Sequence, residues 1–159
     1  MLIRLIHSLL VIMAVQSICI ADVTRLPAGD QKALRDVSRF HEIHAATNLP
    51  PTVFAFCADH KGRLAGPGQK WEVSDVIRDA TLPQKRMIWA MTDGNYYIVH
   101  YESGGYVHSF HVLVAKLEGE NGKPSFLWHG VSLGSLKDFR AFLDALANKK
   151  IDDRPDYAH

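Results

Sequence analysis

The chain predicts an α+β domain: a curved antiparallel β-meander of about five or six strands, flanked by an N-terminal and a C-terminal helix. Three observations carry this. Four apolar, strand-length runs lie between Arg86 and Val131, separated by turn-forming clusters. Apolar residues recur at helical spacing between Leu136 and Leu146. A second helical pattern precedes the runs, between Gln31 and Ala46.

In chain order, the first segment is Met1–Ala21 (MLIRLIHSLLVIMAVQSICIA). A single Arg4 precedes a short apolar run, and Cys19 and Ala21 stand at the positions a signal peptidase reads. The run is short of the ~20 apolar residues of a membrane span. The segment therefore predicts a cleavable signal, residues 22–159 as one domain, and an exported protein, periplasmic or extracellular.

Asp30 is a suitable N-cap for a helix over Gln31–Ala46. The pair Pro50-Pro51 ends it. Thr52–Ala58 (TVFAFCA) is rich in strand formers and predicts a buried strand. Asp59–Gly68 is a loop by composition, and Trp71–Ile77 predicts a weaker strand. The meander follows: Arg86–Met91, a hairpin turn centred on Asp93-Gly94, Tyr96–Glu102, a glycine turn, Tyr106–Leu117, a polar turn, and Ser125–Val131. Ser135 then predicts the cap of a last helix, with a polar tail from Asp152.

Composition narrows the function. Cleavage after Ala21 removes one basic residue and leaves seventeen basic against seventeen acidic side chains. No basic stripe points to nucleic acid or to an anionic membrane surface. Cys57 is then the remaining cysteine, which excludes an intramolecular disulfide. Its apolar setting argues for an inert thiol.

The hairpin turn sets a register. Centred on Asp93-Gly94, it places Trp89 opposite Ile98, Met87 opposite His100 and Lys85 opposite Glu102. One face then carries Met87, Trp89, Met91, Tyr96, Ile98 and His100. The other carries Ile88, Ala90, Tyr97, Val99 and Tyr101. Both faces are apolar, so both need cover. A helix supplies one cover. The other falls to sheet curvature, a ligand or a partner.

Eight histidines remain after cleavage. A two-residue Gly104-Gly105 turn puts His111 on the face of His100, and a three-residue turn puts His108 there instead. Glu102 shares that face either way. A His-Glu-His set of this kind suits zinc or acid–base chemistry. Against it, Glu102 also faces Lys85 as an ordinary cross-strand ion pair, and no spacing is that of a known metal motif. His41 and His44 stand three apart, not the four of the zinc-protease helix.

Two functional classes follow. The first is an exported binding or inhibitory module, acting through a sheet face or loops on a protein or a small apolar ligand. Trp89, Tyr96, His100, Glu102 and His111 are its candidate ligand-binding residues, without catalytic residues or cofactor. The second is a small metal-dependent or acid–base enzyme, with zinc held by His100, Glu102, His111 and His108.

Overall fold

Apolar runs and tight turns form the four central strands where the sequence predicts them. The computed structural model describes residues 26–118 and 123–153. In it β2 (Lys85–Thr92), β3 (Tyr96–Ser103), β4 (Ser109–Glu118) and β5 (Lys123–Ser132) form an antiparallel meander. Two-residue strands close its edges: β1 (His41–Glu42) beside β2, and β6 (Ile151–Asp152) beside β5. The α+β class and the antiparallel sheet agree with the expectation. The expected signal, Met1–Ala21, and the tail beyond Asp153 lie outside the described residues.

Both sheet faces are covered by the protein itself. On one side, α1 (Ala28–Leu34) and α3 (Phe139–Ala147) pack Leu34, Phe139 and Phe142 onto Trp89, Ile98, Val112, Val114 and Trp128. On the other, α2 (Pro51–Cys57) and its lead-in pack Ile43, Leu49, Val53 and Cys57 onto Met87, Val99, Leu113 and Ala115. The chain crosses between the two layers around the short edge strand β1, with Phe40 in the first layer and Ile43 in the second.

Several elements differ from expectation. The helix expected over Gln31–Ala46 stops at Leu34 and gives way to 3₁₀ turns at Val37–Arg39 and Ala46–Asn48 around β1. The strand expected over Thr52–Ala58 is α2. Pro51 is its first helical residue, where a missing N–H costs nothing. Val53 and Cys57, four apart, are both fully buried. Trp71–Ile77 forms no named strand; it touches the sheet's end through one bridge, Ser74 to Gly105. The last helix is capped by Asp138, whose carboxylate accepts the Ala141 N–H, not by Ser135.

The hairpin register is also corrected. The Asp93 side chain accepts the N–H groups of Asn95 and Tyr96, and Gly94 takes a φ of +91°. The turn is therefore centred on Gly94-Asn95, which puts Trp89 opposite His100 and Met91 opposite Ile98. A β-bulge at Ile88 absorbs the extra residue and pairs Met87 with Tyr101. Met87 thereby turns to the α2 side, away from Trp89.

Candidate functional site

The loop between β3 and β4 decides which residues meet. Ser103 pairs with Ser109, so the loop is the five residues Gly104–His108, longer than either expected turn. Its start folds outward. The Gly104 N–H donates to Gln84 O (2.9 Å) and the Gly105 N–H to Val73 O (3.0 Å). A side chain at Gly104 would stand 2.5 Å from Glu72 O, and Gly105 has a φ of +121°. Glycine is required at both.

This loop splits the expected His-Glu-His set. His100 lies opposite Val112 and His111 opposite Tyr101, so the two histidines occupy opposite sheet faces. His100 and Glu102 face the α3 side, whereas His111 faces the α2 side. Among the described residues, no three His, Cys, Asp or Glu side chains converge on a point that suits a metal ion.

The other candidates are engaged in structural contacts. The Leu136 N–H donates to His100 Nε2 (3.0 Å), which leaves Nδ1 protonated and donating to His111 O (2.8 Å). Burial favours this neutral ring by pulling its pKa down. Trp89 Nε1 donates to Leu136 O (2.8 Å). The two side chains thus hold both backbone groups of Leu136, the approach to α3. The Tyr96 hydroxyl donates to Asp30 (2.5 Å) and ties β3 to α1. Burial first, then the Asp30 charge, pushes that phenol up to about 12. The buried Glu102 carboxylate binds Arg86 (2.6 Å) and His108 Nε2 (2.8 Å), not the expected Lys85. Trp71 stands beside both partners, 5.1 Å from the Arg86 guanidinium and 5.6 Å from the His108 ring.

On the α2 face His111 joins residues the sequence did not single out together. Ser109 Oγ lies 2.7 Å from His111 Nε2, and His111 Nδ1 lies 3.0 Å from His129 Nε2. The Tyr101 hydroxyl is 3.3 Å from the same His129 nitrogen. Burial, then the neighbouring positive charges, lowers both imidazoles to about 4. Both rings are neutral near pH 7, so each offers one donor and one acceptor nitrogen to the line Ser109–His111–His129. Beside it opens a cavity of about 440 Å³ whose wall includes Phe56, Gln84, Lys85 and Ser103. The Phe56 ring reaches His129 (5.9 Å between centroids), and the Lys85 ammonium lies 5.4 Å over Tyr101.

The same end of the sheet carries an exposed apolar surface. Val73, Val76 and Ile77 are exposed on the segment after Trp71, which is bridged through Ser74 and Val73 to Gly105 of the β3–β4 loop, where Tyr106 and Val107 are exposed in turn. Tyr106 is 93% exposed and Val76 65%. The segment is held from beneath. The buried Glu72 carboxylate accepts the N–H groups of Arg78 (3.1 Å) and Asp79 (3.2 Å), and Ser74 Oγ donates to Val76 O (2.8 Å). These loop residues were legible as apolar, but their clustering depends on the Ser74–Gly105 bridge.

The chain matches no family model, no curated protein and no solved structure.

Proposed function

We propose that the protein is an exported binding module that docks a protein partner on its apolar loop surface. The signal-like segment Met1–Ala21 supports export. The observation that carries the docking is the cross-braced pair of loops presenting Val73, Val76, Ile77, Tyr106 and Val107 to solvent. A free surface that clusters large apolar side chains, with an aromatic among them, has the composition of an interface core. Preorganised loops lose little entropy on binding, which favours a folded partner with an apolar cleft, as in enzyme–inhibitor pairs.

The test is capture from envelope fractions by the purified protein and by a Val76→Asp/Tyr106→Asp double variant. The expected result is a partner retained by the wild type and lost at least about tenfold by the variant, as for interface anchors. Equal capture by both, or no retained partner, overturns the reading. Dimerisation in sedimentation that the same variant abolishes assigns the surface to a second copy of the chain instead.

A further inference from the structure

Lys85 opens β2 half-buried, and among the described residues its ammonium forms no ion pair. It lies over the Tyr101 ring, and among the described residues no side chain forms an ion pair or hydrogen bond with it. The nearest carboxylate, Asp59, attracts it only across a distance longer than an ion pair. The Asp59 carboxylate shares the cavity wall but is committed to Arg63 (3.2 Å) and to the N–H groups of Lys61, Arg63 and Gln84. Burial keeps the Cys57 thiol and the Tyr101 hydroxyl protonated. His111 and His129 are neutral. A partly desolvated cation with no anion is costly. The cost is removed when a ligand brings the anion.

The cavity has the features such a ligand needs. Its volume of about 440 Å³ lies within the range of small-molecule sites. Phe56 supplies an apolar wall, and Ser103 and Gln84 supply polar groups. Lys85 brings one positive charge that no ion pair holds, and the Asp59 carboxylate on the same wall disfavours a dianion.

We infer that this cavity binds a small monocarboxylate with a short apolar tail, its carboxylate on the Lys85 ammonium and its tail against Phe56. The site lies on residues other than the apolar loop surface, so it stands or falls separately from partner docking. Two residues of the wall lead on to the histidine line: Phe56 reaches the His129 ring and Lys85 lies over Tyr101.

The experiment is a titration of the purified protein with butyrate, hexanoate, hexanamide and phosphate, followed by calorimetry and by amide NMR shifts. Hexanoate is expected to bind saturably, more tightly than butyrate, and to shift the amides of Gln84, Ser103 and Gly104. Lys85→Met weakens it at least about tenfold, Lys85→Arg retains it, and Val76→Asp/Tyr106→Asp leaves it unchanged. Several results overturn the inference: hexanamide binding as well as hexanoate, phosphate binding more tightly, or no saturation by about 10 mM. Unchanged hexanoate affinity in Lys85→Met does so too. If Lys85→Met fails to fold, the hexanoate–hexanamide comparison on the wild type and on Lys85→Arg decides alone.

Discussion

A histidine with both ring nitrogens committed to backbone groups is part of the scaffold. His100 is such a residue: it accepts from the Leu136 N–H and donates to His111 O at zero exposure. Replacing it with Ala removes two hydrogen bonds and opens a hole in the core. The expected loss of stability is about 2–4 kcal/mol by urea denaturation. His100→Gln, able to remake one bond, should lose less. A loss under about 0.5 kcal/mol in His100→Ala would show that the clamp on Leu136 carries no weight. At this scale the sequence predicts a company of side chains that the structure divides. His100, Glu102, His108 and His111 all lie at one end of the sheet, but His100 and His111 stand on opposite faces. Which of them meet depends on loop length, and Gly104-Gly105 reads as a short turn unless the docking of Val73 and Gln84 is known. Lys85 and His129 carried no local signal, because each matters through neighbours on other strands.

Among the elements, β2 to β5 and α3 were legible and the N-terminal half was not. The meander is specified by turns and alternation close in sequence. The segment Thr52–Ala58 has strand-forming residues but lies against a formed sheet, and tertiary packing of Val53 and Cys57 overrides that preference. Pro51 was the available clue: it starts α2, whereas the sequence reading used it only to end the preceding helix. Taking α2 for a strand is also what left the second sheet face without a cover. The element that positions the proposed docking surface is the Gly104–Glu72 contact. Gly104→Ala places a methyl group 2.5–2.8 Å from backbone atoms of Glu72 and Val73, so the loops must part. Partner capture should fall in Gly104→Ala although every apolar side chain remains. Undiminished capture, with amide shifts unchanged at Val73 and Gly105, would show that bracing is irrelevant to docking.

For the molecule as a whole, burying neutral histidines couples folding to acid. His111 and His129 titrate near 4 when folded and near the ordinary 6.5 when unfolded. Between those values the unfolded chain binds more protons, so stability is complete above pH 6.5 and declines as pH falls to about 4. The decline is on the order of a few kcal/mol for the pair. The carboxylate Asp59, held below its ordinary pKa by backbone hydrogen bonds that outweigh its burial, adds a further loss only in stronger acid. Urea midpoints measured from pH 7.5 to 4 should trace the histidine window, and His129→Gln should flatten it. A profile flat through that window in the wild type would mean that the rings are not held neutral.

The order of strands along the sheet is their order along the chain. From β2 to β5 each strand therefore finds its partner already delivered, one turn behind it. A polypeptide emerging amino-terminus first, from a ribosome or a translocation pore, can zip this sheet as it arrives. Within β2–β5 no pairing has to wait for a strand more than one turn away. At the far rim, among the described residues, β6 pairs with β5 at Val131 and Ser132 alone, so residues 123–130 are the edge on which a neighbouring chain has room to extend the sheet.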